Sequence, residues 1–342
     1  MLRRVLTSPQ AGLVAIILLL GAVLTATAGT HVDQRTGLLV NNFLNSYTLI
    51  QTATDASFFA IMAVGATIVI IAGGIDLSVG AVYALAGVAT AMVLRGMGST
   101  DPITAVLLGL AISIGIGLLS GAINGALVVG LDVHPFIVTL GTMWILRGIA
   151  FVSSGAESIL LPRPVTEVAK ASLGLGDALY PVPMLVMLVI TVLGSVFLTQ
   201  TVGGRRVFAV GGSQEASRFS GVPVGRVKIG VFVLSGFTAG VAAFMGASFY
   251  GSASCADATG YELYVIASAV VGGASLSGGK GSAVNALLGA VLIVLIRQSI
   301  RTLHFDQNYE WIIIGCAIIM AVVFDQASAR FATRRLAAAT RR

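Results

Sequence analysis

The chain has 342 residues, of which 56% are apolar and only 10% are charged, with a formal net charge of +6. Soluble domains carry about 25% charged residues, and disordered chains are polar and poor in aliphatic side chains, so a soluble enzyme and a disordered chain are both excluded. What is left is a polytopic membrane protein.

A helix needs about 20 apolar residues to cross roughly 30 Å of hydrocarbon. In chain order, candidate spans cover 11–29, 55–72, 79–95, 104–129, 135–153, 182–200, 228–250, 262–274, 283–300 and 309–325. The expectation is an all-α fold of about ten transmembrane helices in one membrane domain, 1–342. With the N-terminus inside, Arg3, Arg4, Arg205, Arg206, Arg218, Arg226, Lys228, Lys280, Arg330, Arg334, Arg335, Arg341 and Arg342 fall on cytoplasmic segments. Asp33, Asp101, Glu157, Glu167, Asp177, Asp257, Asp306 and Glu310 fall outside. Basic residues favour the cytoplasmic face, so both termini are expected there, together with a basic loop over about 203–228 and a basic tail over about 326–342. The positive charge therefore reads as topology; no basic patch with interleaved aromatics suggests a nucleic-acid partner. Arg3, Arg4, the apolar run that follows and Ala26-Thr27-Ala28 resemble a secretory signal, but the segment is read as an uncleaved first helix.

The 42 glycines are about 12% of the chain, against roughly 7% on average. Gly117, Gly121 and Gly125, and the pair Gly236 and Gly240, have the four-residue spacing that places small residues on one face for close helix packing. Cys255 and Cys316 make no metal or redox spacing. Cys316 is expected to be packing within an apolar run, with a disulfide to Cys255 as the alternative. His31, His134 and His304 are isolated, so neither a metal site nor a cofactor is expected on this chain.

Two apolar stretches are interrupted alike. One reads Gly73-Gly74-Ile75-Asp76-Leu77-Ser78-Val79-Gly80, the other Gly272-Gly273-Ala274-Ser275-Leu276-Ser277-Gly278-Gly279-Lys280-Gly281. Consecutive glycines destabilise a helix interior by about 1 kcal/mol each, and Ser78 or Ser277 is placed to cap the helix that follows. The breaks are either half-helix elements beside a translocation path or tight turns at the cytoplasmic face. Gly279-Lys280 is not a phosphate-binding loop, because Ala274 and Gly281 occupy positions that GxxxxGK[ST] reserves for Gly and Ser/Thr. Asp76 and Arg147 are the charges placed deep in apolar runs. Asp76 must be paired or hydrogen-bonded if it is buried; Arg147 can snorkel outward or pair with an acid such as Asp76. Within the basic loop, Glu215–Ser220 is helix-compatible, with Ser213 as cap and Gly221 as stop. So short a helix needs a partner to dock on; otherwise the segment is a solvated charged loop.

Glu215-Ala216-Ser217 followed by Gly221 is similar to the Glu-Ala-Ala-x-x-x-Gly loop of permease subunits of ATP-binding-cassette importers. The flanking Gly204-Arg205-Arg206 and Ala209-Val210-Gly211-Gly212 resemble the version in ribose/xylose-type sugar permeases. Both glycine breaks, Thr139-Leu140-Gly141-Thr142 with Arg147-Gly148, and Gly260-Tyr261-Glu262-Leu263 resemble further signatures of that family, in its order. Ser217 departs from the second alanine, and the tail after Phe324 shows no family pattern.

The resemblance implies the membrane subunit of an importer, in the bacterial cytoplasmic membrane, that translocates a sugar or sugar-like solute and has no catalytic residues. It implies a second permease subunit, an external substrate-binding protein and cytoplasmic ATPase subunits as partners. Gly211, Gly212, Glu215, Ala216, Ser217 and Gly221 would couple to the ATPase. Gly73, Gly74, Asp76, Ser78, Arg147, Gly272, Gly273 and Ser277 would mark the path or its helix breaks. Tyr261 and Glu262 are expected near the outer face, as a contact for the binding protein or as interfacial anchors. The alternative is a secondary active transporter coupled to protons or sodium, which needs ionisable groups along its path.

Overall fold

The computed structural model of the protein describes residues 9–32, 37–98, 101–172, 180–317, 319, 320 and 323. Arg3, Arg4, Asp33, Asp177 and the basic tail 326–342 lie outside these residues. In chain order the elements are α1 (Pro9–Thr27), β1 (Thr30–Val32), β2 (Leu39–Asn41), α2 (Ser46–Ile71), α3 (Val79–Gly96), α4 (Pro102–Gly130), α5 (Pro135–Ser154), β3 (Ile159–Leu160), α6 (Arg163–Ala169), α7 (Val182–Gln200), α8 (Val202–Gly212), α9 (Gln214–Phe219), α10 (Val224–Tyr250), β4 (Ser252–Ala253), α11 (Tyr261–Val271) and α12 (Ala283–Thr302). The strands form two small antiparallel ladders, β1 with β2 and β3 with β4, the latter placing Ile159 opposite Ala253.

Among the described residues, eight helices are long and apolar enough to cross a membrane: α1 to α5, α7, α10 and α12. The span expected over 262–274 is α11, with only 11 residues, or about 16 Å of helix. Non-helical backbone from 254 to 260 precedes it. The span expected over 309–325 is helical over 309–317, while 318, 321, 322 and 324 onward lie outside the described residues. α2 begins well before the expected 55, because the Asn45 side chain accepts from Thr48 N at 2.8 Å and caps it there.

α2 is apolar on every side and buried from Asp55 to Ile71. Such a helix belongs at the centre of a bundle, and α7, α10, α11 and α12 surround it. α1 is peripheral, with Leu18 and Leu19 exposed as lipid-facing side chains. α4 and α10 form the most extensive helix pair, and the two glycine stripes read from the sequence face each other across it. A Cβ at Gly117 would collide with the Gly236 carbonyl, one at Gly121 with the Phe232 carbonyl, and one at Gly125 would sit 2.7 Å from Ile229 Cα. Ser113 Oγ donates to Gly240 O at 2.7 Å along the same seam. Cys255 and Cys316 are both free thiols; Cys255 is buried, but Cys316 is exposed, contrary to its expected role as packing.

Gly117→Leu or Gly236→Leu forces backbone apart, so each lowers stability by about 1–3 kcal/mol or more. Gly115→Leu, on the same helix with open space at its Cβ position, leaves it nearly unchanged; thermal unfolding of the detergent-solubilised chain measures the difference.

Candidate functional site

The first break follows α2. Gly73 adopts a left-handed conformation, φ +80°, and Gly74 N donates back to Val69 O at 3.0 Å, closing the helix end. The chain then turns inward. Asp76 is 4% exposed, and its Oδ1 accepts from Ser78 N at 2.9 Å and Ser78 Oγ at 2.6 Å, the Asx arrangement that short carboxylates favour. Its Oδ2 accepts from Ser235 Oγ of α10 at 2.8 Å. Asn124 of α4 donates to Ser78 Oγ at 2.8 Å, and Thr139 of α5 donates to Ile75 O at 3.1 Å. One carboxylate thus ties the start of α3 to α10, with α4 and α5 holding the same turn. Ser78 occupies the N-cap of α3, but its hydroxyl serves Asp76 rather than the helix amides.

The second break follows α11. Gly273 is left-handed, φ +91°, Ala274 N returns to Ala269 O at 3.0 Å, and Gly278 N donates to Ser275 O at 2.9 Å. Ser282, not Ser277, stands at the N-cap of α12, and Ser277 is exposed on the turn. The two breaks meet: Gly279 N donates to Ile71 O, the last carbonyl of α2, at 2.8 Å. The expected alternatives, buried half-helix element or tight surface turn, therefore apply to different residues. Gly73, Gly273 and Ser277 are exposed at one end of the bundle, whereas Asp76 and Ser78 are buried within it.

The segment expected as a long loop is mostly helical. α8 runs from Val202 to Gly212 with Thr201 as cap, accepting from Gly204 N at 3.0 Å. It buries Gly204, Val207 and Val210 at three-residue spacing and leaves Arg205 and Arg206 exposed. A Cβ at Gly211 would strike the Ile71 carbonyl and lie 2.6 Å from Gly279 N, so the end of α8 is wedged against both breaks at once. α9 follows after one residue. Ser213 caps it, accepting from Ala216 N at 3.2 Å. Gly221, φ +76°, ends it with Val222 N to Ser217 O and Gly221 N to Arg218 O, the paired bonds of a Schellman stop. Glu215, Ala216 and Arg218 are exposed, Phe219 is 85% exposed, and Ser217 is buried.

Arg147 neither snorkels nor pairs with Asp76. From α5 it donates to Cys255 O at 2.8 Å, Asp257 O at 2.5 Å and Ala258 O at 3.2 Å. These are carbonyls of the non-helical backbone before α11. A guanidinium has five donors in a fixed fork, so one side chain covers what a missing helical turn leaves open. Tyr261 and Glu262, expected at the outer face, are part-buried at the start of α11. The Tyr261 ring packs 4.5 Å from that of Phe59, centroid to centroid.

A further charged cluster was not singled out in the sequence. Arg297 Nε lies 2.5 Å from Glu310 Oε1, and its guanidinium stands 5.2 Å and 4.8 Å from the ring centroids of Phe59 and Tyr264, within cation–π range. The Tyr264 hydroxyl also donates to Glu310. Asp55 accepts from Gln51 at 3.2 Å, Tyr250 at 3.3 Å and Arg301 at 3.4 Å. The available signal was Arg297 and Arg301 on one face of α12, four residues apart.

Long apolar helices, interrupted at hydrogen-bonded turns, indicate a multi-pass membrane protein. Residues 48–322 match the family described as branched-chain amino acid transport system / permease component, and the chain belongs to that family. It is 38% identical over 288 residues to the ribose import permease protein RbsC of Haemophilus influenzae, covering 84% of this chain and 85% of that one. It is 34% identical over 286 residues to the D-allose transport system permease protein AlsC of Escherichia coli, covering 83% and 85%. The L-arabinose ABC transporter permease protein AraH of Azospirillum brasilense is 32% identical over 318 residues, covering 93% and 87%. No solved structure matches the sequence significantly.

Removing the guanidinium should loosen the backbone it holds. In a Cys316→Ser background, Arg147→Met raises the rate of maleimide labelling at Cys255, which is 1% exposed, by about tenfold or more, a shift of roughly 1.4 kcal/mol in local opening.

Proposed function

We propose that the chain is the membrane-spanning subunit of an ATP-driven importer for a sugar or sugar-like solute, in the bacterial cytoplasmic membrane. The ribose, D-allose and L-arabinose permeases among its relatives support the substrate class. In this reading the end of the bundle bearing α8 and α9 faces the cytoplasm, with both termini on that side, as the basic residues Arg205, Arg206, Arg218 and Arg226 favour. An external binding protein delivers the solute, a second permease subunit completes the path, and ATPase subunits grip α9. The chain binds no cofactor and hydrolyses nothing itself.

One observation carries the coupling: α9, a capped helix with exposed Glu215 and Phe219, is joined through one residue to an α8 whose Gly211 abuts Ile71 and Gly279. Closure of the ATPases on nucleotide moves α9. α8 passes the movement to the end of α2 and to the turn between α11 and α12, and the bundle reorients largely as rigid bodies. The coupling is reciprocal in binding, so whatever free energy nucleotide binding contributes to one orientation of the bundle, that orientation returns to nucleotide binding.

In proteoliposomes holding the assembled complex, Glu215→Trp or Gly221→Val lowers ATP-dependent uptake by about tenfold or more and weakens retention of the ATPase subunit on purification. Gly211→Val keeps the ATPase bound but uncouples its turnover from the binding protein. Uptake by the purified chain alone, in vesicles without ATP, overturns the proposal in favour of a secondary transporter.

A further inference from the structure

Beside α8, a cleft of about 430 Å³ opens between the last turn of α7, α8 and the first turns of α10. Its floor is apolar, formed by Phe197, Val207, Val231 and Leu234. Arg206 and Arg226 line it, both exposed, and no carboxylate does. Among the described residues neither arginine takes part in an ion pair.

The position of the cleft matters as much as its lining. α7 approaches it with Leu188, Val189, Val192, Leu193 and Val196 exposed, an apolar face that a bilayer covers. At Gln200 that helix ends, and Arg205 and Arg206 follow in α8. The cleft therefore lies where hydrocarbon gives way to water, with its floor continuous with the lipid-facing side of α7. Guanidinium groups hold phosphate through parallel, charge-assisted hydrogen bonds, and basic pockets between transmembrane helices at this boundary suit anionic headgroups. A soluble anion would satisfy the arginines but leave the apolar floor wet; an amphiphile covers both.

We propose that this cleft is a specific site for an anionic phospholipid, its headgroup held between Arg206 of α8 and Arg226 of α10 and its acyl chain lying along α7. The bound lipid joins the foot of α10 to the helix that bears Gly211. The proposal needs only that the chain lies in a bilayer, so it stands or falls separately from the importer reading.

The test is native mass spectrometry of the full-length chain in mild detergent, supplied with phosphatidylglycerol or phosphatidylethanolamine. The wild type retains one phosphatidylglycerol under conditions that strip phosphatidylethanolamine. Arg206→Gln with Arg226→Gln lowers that retained population by about tenfold or more, whereas Arg205→Gln, outside the cleft, keeps it. Gly230 lines the cleft and has open space at its Cβ position, so Gly230→Trp evicts the lipid with both arginines in place, which guards against a misfolded double variant. Equal retention of the two lipids overturns the proposal, as does retention unchanged in both the double variant and Gly230→Trp. So does an equal loss in Arg205→Gln, which would indicate diffuse surface charge. Displacement of the lipid by millimolar inorganic phosphate assigns the arginines to a soluble anion and overturns it as well.

Discussion

Inside a bilayer, every backbone amide and carbonyl that leaves a helix must find a partner within the protein, and the arrangement of this molecule follows from how that demand is met at its interruptions. Each unsatisfied group costs about 1–3 kcal/mol, so a break survives only where neighbours supply donors and acceptors. Three devices do so here. Asp76 accepts from the backbone and hydroxyl of Ser78 and reaches across to Ser235. Arg147 covers three carbonyls ahead of α11. The two breaks also satisfy each other, through the bond from Gly279 to Ile71. The two charges within the bundle interior that stand out in the sequence are thus both engaged in holding irregular backbone.

Much of this was legible from the chain alone. The long spans were, because burial in lipid writes itself as uninterrupted apolar length. So was α9, because Ser213 and Gly221 are local signals that need no distant partner. α8 was not, since Gly203, Gly204, Gly211 and Gly212 argue against a helix. Packing of Gly204, Val207 and Val210 overrides that propensity. Likewise the early start of α2 escaped notice, because its first turns hold Tyr47, Thr48 and Gln51 rather than an apolar run. The glycine stripes could be read as stripes, but nothing local says that Gly117 faces Gly236. Asp55, Arg297 and Glu310 were missed for the same reason: their partners are far apart in sequence, and each sits near a span edge where charge is ordinary.

Glycine serves two opposed ends in this bundle. Along α4 and α10 it removes side chains so that regular helices come into backbone contact and hold their spacing. At Gly73 and Gly273 it admits left-handed backbone so that helices stop. Gly211, inside the last turn of α8, serves the first end, bringing bare backbone against the last residue of α2 and against Gly279 in the second break. The contact carrying the proposed movement therefore contains little side chain that could yield before the movement is passed on. The ion pairs of Arg297 with Glu310 and of Arg301 with Asp55 are built differently, each through a long arginine side chain with many rotamers.

The bond between Gly279 and Ile71 also bears on how the protein is made. Its acceptor belongs to the second of the described helices in chain order, and its donor follows every element up to α11. Until the later segment has been synthesised and inserted, the end of α2 has only solvent to bond to, and α8 has nothing on its far side to lean against. The junction is therefore among the last parts of the protein to close during biogenesis, and a nascent chain truncated before residue 279 would leave it open.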